Sequence, residues 1–285
     1  MLDAINLLIL DNGQHIRLGT FVGLLSGLIL WETLSRFRPV QQNRAIHWIT
    51  NASLLLIGSI LVYFLFPMAA LSIAQIVESN GWGLLNYYNL NYWVKVIVAF
   101  ILLDLSIYFQ HVIFHTLPLF WRFHRVHHSD LDCDASTGLR FHPIEMLISM
   151  LVKFITIAAL GAPLLAVFLF EIVLNGMAMF THANIRIPRP LNRVLLWFMV
   201  TPNMHLIHHS NTSKQMNSNF GFNISLWDRL FGTYLDLPEQ KLKTLDIGLG
   251  KHQDLTQQSL RGLLYLPFTG RVKGYTINER DFTQE

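Results

Sequence analysis

The sequence predicts an all-α, multi-span helical membrane protein with about four spanning helices. Its 285 residues are 52% hydrophobic and 14% charged, with a mean hydropathy of +0.38, which argues against a water-soluble globule. Long runs without charge alternate with short charged loops, and twenty Phe, seven Trp and eight Tyr suit a protein with aromatic residues at the bilayer surface. Ten of the thirteen histidines lie between His111 and His209, where the apolar runs are interrupted. A net charge of +3 is too small for an electrostatic nucleic-acid reader. The single cysteine, Cys133, excludes an intrachain disulfide and every multi-cysteine zinc or iron–sulfur arrangement.

Met1 to Asp11 carries Asp3 and Asp11 and lacks a basic region before its apolar run, so no removable leader is expected there. Leu18 to Trp31, closed by Glu32, Arg36 and Arg38, reads as a first spanning helix. Ala45 to Val77 contains no Asp, Glu, Lys or Arg, more than the ~20 residues that cross a hydrocarbon core of ~30 Å. Trp93 to Leu117 reads as a third span, with Lys95 near its entry and Asp104 in its middle. Ile144 to Phe180 reads as a helical hairpin broken at Gly161, Ala162 and Pro163, its arms carrying Lys153 and Glu171, and short enough to be tilted or partly re-entrant. Leu191 to Val200 is too short to cross and is expected at the interface; from Trp227 onward the chain reads as a water-exposed tail.

The first loop holds Arg36, Arg38 and Arg44, whereas Ala69 to Tyr92 has no Lys or Arg, which places the first loop in the cytoplasm and the N-terminus outside. The third span then delivers His111, His115, Arg122 and Arg125 to the cytoplasmic side, and the hairpin returns Arg186, Arg189 and Arg193 to it. The expected organisation is N-terminal transmembrane helices over 1–92, a histidine-rich catalytic region with a cytoplasmic helical cap over 93–235, and a cytoplasmic tail over 236–285.

His111 and His115 are four apart, on one helical face with Asp104. His124, His127 and His128 have the i, i+3, i+4 spacing of one helix stripe, and His205, His208 and His209 repeat it. His142 and His182 add two candidate donors from other segments. Ten donors exceed the four to six sites of one first-row ion, so two metals are the economical reading. Three packed imidazoles would otherwise lose apolar contact and repel on protonation. Isolated histidines such as His15, His47 and His252 read as surface or interfacial residues. Nitrogen donors suit zinc, iron, copper or nickel, but HExxH and ExxH pairings are both missing, which removes a zinc-peptidase and a carboxylate-bridged bundle. Asp104, Glu145 and Asp228 are candidate acceptors that fix imidazole tautomers.

The HxxxH of His111–His115 and the two HxxHH runs resemble the eight-histidine signature of the integral-membrane fatty acid hydroxylase and sterol desaturase superfamily. Trp121–His124 (WRFH), Arg140–Glu145 (RFHPIE), Asn219–Gly221 (NFG) and Trp227–Tyr234 (WDRLFGTY) extend the likeness over residues 95 to 235. The resemblance implies that the eight box histidines hold a non-haem di-iron centre, with His182 as a further ligand. It also implies hydroxylation of an aliphatic C–H bond of a lipid (fatty acyl, sterol or related) with dioxygen and two external electrons, or desaturation at the same site, with zinc able to replace iron in purified protein. No dinucleotide fingerprint follows a strand, so a partner is expected to supply the electrons, and the resemblance implies a ferredoxin or cytochrome b5-like carrier with its reductase. Arg122, Arg125, Arg186, Arg189 and Arg193 are available to meet it. A histidine-rich metal-binding or transporting membrane protein is the alternative of another class.

Overall fold

The computed structural model describes residues 2–66, 68–249 and 257–269; His252 and the end of the expected tail lie outside them. Within these residues the chain forms α1 (Leu2–Leu34), α2 (Arg44–Leu65), α3 (Ala70–Ser79), α4 (Leu84–Tyr87), α5 (Tyr92–Thr116), α6 (Pro118–His128) and α7 (Pro143–Leu160). α8 (Leu164–His182), α9 (Arg189–Leu195), α10 (Pro202–His208), α11 (Ser213–Met216), α12 (Leu226–Leu230), α13 (Glu239–Lys243) and α14 (Leu260–Tyr265) follow. Five stretches are long and apolar enough to cross a membrane: Ala4–Leu34, Arg44–Tyr87, Tyr92–Thr116, Pro143–Leu160 and Leu164–His182. The protein is all-α, and both arms of the expected hairpin qualify as spans.

Two boundaries differ from expectation. α1 starts sixteen residues before Leu18, because Ile5 and Ile9 join the core cluster formed by Leu164, Leu165, Phe168 and Phe170 of α8. The charge-free run Ala45–Val77 is two helices: α2 ends at Leu65, shortly before Pro67, which offers no amide donor, and α3 begins at Ala70. The hairpin turn does fall where Gly161 and Pro163 put it. Gly161 ends α7 with φ 70°, and a Cβ there would stand 2.4 Å from Trp82 O, so only glycine fits. Glu78 of α3 caps α8, accepting Leu164 N–H at 2.8 Å.

Charges inside the spans find one another, as the cost of leaving them in hydrocarbon requires. Glu171 of α8 lies 3.0 Å from Lys153 Nζ of α7 and 2.7 Å from Arg17 Nη1 of α1, fastening three helices at mid-span. Buried Glu32, at the end of α1, accepts Ala135 N–H at 2.8 Å and Asn184 N–H at 2.9 Å and pairs with Arg44 at 3.1 Å. The long first helix therefore also holds the segments that follow α6 and α8, the helices that carry His124–His128 and His182.

The cap gathers at one end of α5, α7 and α8. α6 runs on from α5 with Pro118 in its first turn, and the 3-10 turn Ala135–Leu139 packs on α2 and α8. The polar segment after Trp227 is no free tail in its described part: Leu242, Ile247, Leu249, Leu263 and Leu266 are buried. Residues 258–269 strap α6. Gln258 accepts from Arg140 Nη2 at 2.6 Å, Arg122 donates to Pro267 O at 3.1 Å, and Arg125 donates to Leu266 O and Thr269 O.

Candidate metal centre

Nine of the ten predicted donors converge, in two groups: His111, His115, His124, His128 and His208, and His127, His182, His205 and His209. Within each group the ligand atoms lie within 4.8 Å of one another, and all nine side chains are buried. Each HxxHH run is divided between the groups. α6 sends its i, i+4 pair, His124 and His128, to the first group and His127 to the second; the third box sends His205 and His209 to the second and His208 to the first. Helical spacing separates i+3 from i and i+4 by enough to face a neighbouring site. The groups adjoin, with His128 stacked on His209 at a ring separation of 4.6 Å.

In the second group His182 Nε2 stands 3.0 Å from the Nε2 of His127, His205 and His209, and His205 and His209 are 3.3 Å apart. Hydrogen bonding does not account for this. His182 Nδ1 donates to Ala178 O at 2.6 Å, so its Nε2 carries only a lone pair, which cannot satisfy three neighbours. A four-coordinate ion with metal–nitrogen bonds of about 2.0–2.1 Å places its donors about 3.3 Å apart, close to the spacing seen. In the first group, His111 Nε2 and His208 Nε2 are buried without a hydrogen-bond partner among the described residues, which is costly unless a cation takes their lone pairs. The donor set fits first-row metal ions.

Carbonyls and one carboxylate fix the tautomers, since these acceptors oblige the opposite nitrogen to bear the proton. His111 Nδ1 donates to Phe220 O at 2.8 Å, His208 Nδ1 to Ser218 O at 2.8 Å, and His124 Nδ1 to Glu145 Oε1 at 2.6 Å. Asp228 acts one residue further out. Its carboxylate accepts the N–H groups of Phe220 and Gly221, each at 2.7 Å, and Thr233 Oγ1 at 2.7 Å, pinning the peptide whose carbonyl orients His111. A Cβ on Gly221 would fall 2.6 Å from that carboxylate, and Asn219 takes φ 54° while its side chain ties Met204 O to Leu235. Gly138 approaches so closely that its Cβ would lie 2.3 Å from Ala178 O, the carbonyl that orients His182.

The RFHPIE run is a bracket around the site. Buried Arg140 donates to Val126 O, Asn51 and Ser129; Phe141 stacks on His127 at 4.7 Å; Glu145 holds His124. His142 belongs to neither group: it caps α7 by accepting Ile144 N–H at 3.2 Å. Asp104, expected beside an imidazole, instead accepts Trp227 Nε1 at 2.7 Å and Ile224 N–H at 3.2 Å, anchoring α12 to α5. His47 is buried, not interfacial, with Nε2 2.8 Å from Asp130 Oδ2. Asp130 is also the acceptor of Thr137 at 2.8 Å, so a buried network behind the second box joins α2 to the loop after α6. An HxxHHxD spacing signals an acid near the box, but only the fold brings His47 to it.

Burial, reinforced by neighbouring imidazoles, holds His127, His128, His205, His208 and His209 well below the ordinary histidine range, so they stay neutral and ligand-competent. Burial pushes Asp228 up to about 6, against the hydrogen bonds it accepts. Against its own burial, Asp130 is held below the usual carboxylate range by His47 and Arg140. A cavity of about 10 Å³, room for one water, opens beside His182 between Phe37, Arg38, Cys133 and Asn203.

Residues 96–233 match the family model described as fatty acid hydroxylase. The ornithine lipid hydroxylase OlsE of Rhizobium tropici is 29% identical over 192 residues, covering 65% of this chain and 54% of its own. Alkylglycerol monooxygenase of Danio rerio is 30% identical over 139 residues, 48% of this chain and 30% of its own. Cholesterol 25-hydroxylase of Mus musculus is 24% identical over 215 residues, 74% of this chain and 60% of its own. The chain thus spans about a third to three fifths of these relatives' length. No solved structure matches.

Proposed function

We infer, for a chain whose histidine-box region, residues 96–233, belongs to the fatty acid hydroxylase family, that it is a membrane-embedded non-haem di-iron oxygenase hydroxylating an aliphatic C–H bond of a lipid. The observation that carries this is the pair of adjoining imidazole groups at one end of the apolar helices, in which His111 Nε2 and His208 Nε2 meet no hydrogen-bond partner among the described residues. The balance is R–H, dioxygen, two electrons and two protons giving R–OH and water.

His111, His115, His124, His128 and His208 would hold one iron and His127, His182, His205 and His209 the other. Iron supplies the redox capacity to activate dioxygen, which no side chain here has. The protein's part is to hold neutral imidazoles in one tautomer, to keep water scarce by burying all nine, and to present the centre to alkyl chains between α5, α7 and α8. Among the described residues no side-chain carboxylate enters either group, so Glu145 would tune His124 without ligating.

The positive-inside pattern supports a cytoplasmic site with the N-terminus outside. An acidic electron carrier would then dock on Arg186 and Arg193, which are exposed; Arg189 is drawn toward Glu239 at 3.5 Å, and Arg122 and Arg125 are occupied by the 258–269 strap. A transporter would string its ligands along a span, whereas these are gathered at one end.

The test supplies a reducing system and ¹⁸O₂ to membranes containing the protein and compares their lipids by mass spectrometry with a His208→Ala control. A histidine-dependent hydroxyl carrying the label is expected. Loss of two hydrogens without label would make the enzyme a desaturase, and no histidine-dependent change in any lipid would sink the oxygenase reading.

A further inference from the structure

One face of α7 is polar where the bilayer demands apolar residues. Glu145, Ser149 and Lys153 are spaced by four, one above another at about 6 Å intervals. The two outer ones are engaged: Glu145 holds His124 through Oε1, and Lys153 pairs with Glu171. The middle one faces Gln110 of α5, whose amide lies 2.9 Å from Ser149 Oγ. A serine hydroxyl engages one end of that amide whichever way the amide is turned. The other end, buried at Oε1, has no partner among the described residues.

An unmet polar atom inside a span is expensive, because no water is at hand to satisfy it. Its partner Ser149 lies one helical turn along α7 from Glu145, which holds His124, and Gln110 immediately precedes His111 on α5, so the pair joins α5 to α7 one turn to the membrane side of that contact. Packing gives no reason for it: a leucine or methionine would fill the α5–α7 seam without the unmet hydrogen bond. We propose that the Gln110 amide, held by Ser149, hydrogen-bonds a hydroxyl or amide group of the lipid substrate, and so selects lipids that carry such a group within a few bonds of the carbon oxidised. Hydroxyls and amides both donate and accept, so either orientation of the glutamine is served. This assignment rests on the lipid-hydroxylase reading.

The test measures binding, not turnover, so it stays independent of whether the chain hydroxylates anything. Metal-loaded full-length protein in one detergent is titrated with 1-hexadecanol and with heptadecane, which puts a methyl group in place of the hydroxyl, and binding is followed by thermal shift. Comparing the ratio of the two affinities in wild type and in Gln110→Leu cancels their different partition into micelles. The wild-type ratio should exceed the Gln110→Leu ratio by about tenfold, the weight of one buried hydrogen bond, with metal content unchanged. Ser149→Ala, which removes only the group that orients the amide, should give an intermediate ratio. Equal ratios in wild type and Gln110→Leu would overturn the proposal. So would loss of metal or of folding in Gln110→Leu together with an unchanged ratio in Ser149→Ala, because the pair would then be a strut between α5 and α7.

Discussion

Replacing Glu145 tests how the centre is tuned. Its Oε1 accepts His124 Nδ1–H at 2.6 Å, while Oε2 is buried without a hydrogen-bond partner among the described residues. Glu145→Gln can keep the acceptor in place, but it exchanges a charge-assisted bond for a neutral one, a loss of about 1 kcal/mol, and puts an amide donor where Oε2 finds no acceptor, at about 1–3 kcal/mol more. Part of that strain is relieved by rotating the amide, which then withdraws the acceptor from His124. Together this predicts that metal held by the first group is bound about 10–100-fold more weakly, the range seen when a partner of a ligating histidine is lost. Glu145→Ala should cost more, since it leaves the His124 N–H stranded. The assay is competition with chelators of graded affinity, reading metal per chain. The second group is the internal control, because His182 is oriented by Ala178 O and not by Glu145. If Glu145→Gln keeps wild-type retention, or if metal is lost from both groups in step, the division of the ligands described above is wrong.

Three further outcomes follow from the same geometry. Gly138→Ala drives a methyl group to 2.3 Å from Ala178 O; the helix must shift, and metal should be lost first from the group containing His182, with thermal stability lowered by about 1–3 kcal/mol. Acid should destabilise the metal-stripped protein: the folded chain keeps His127, His128, His205, His208 and His209 neutral, the unfolded chain protonates them below the ordinary value of 6.5, and stability present above that pH is lost as pH falls. The ceiling is about 1.4 kcal/mol per imidazole at pH 5.5, while Asp228, raised to about 6, works the opposite way by less than about 1 kcal/mol; a melting temperature flat between pH 7.5 and 5.5 would contradict this. Glu171→Gln leaves Arg17 and Lys153 without a counter-charge inside the spans and should release α1, seen as faster protease nicking near Leu34, with an Arg17→Met partner variant restoring protection.

The local signals in the sequence were strong where one helix carries the information. Spacing puts His111 with His115 and makes stripes of the HxxHH runs; the Gly161–Pro163 break marks the hairpin; the RFHPIE run contains the histidine's carboxylate partner. What spacing does not reveal is the relative orientation of α6 and α10, so the division of each triad between two groups was hidden in a pattern that reads as one face. Asp104 shows the same limit: a carboxylate in a span needs a partner, but whether that partner is an imidazole or the Trp227 indole depends on where residues 219–227 fold back. His47 looked solitary because its acceptor lies 83 residues away. The strap over α6 has the composition of a solvent-exposed tail because its polarity is spent on internal carbonyl and arginine contacts, which composition cannot distinguish from contacts with water.

The division of the two HxxHH runs bears on how the protein is made. Each group takes donors from a box before the α7–α8 hairpin and from a box after it, so a chain stalled within the hairpin has neither set complete. Completion of both groups therefore waits until residue 209 has left the ribosome and the hairpin has inserted, which would tie full coordination of bound metal to the end of membrane assembly. A cell that degrades unmetallated chains would by the same step discard those whose last helices never entered the bilayer.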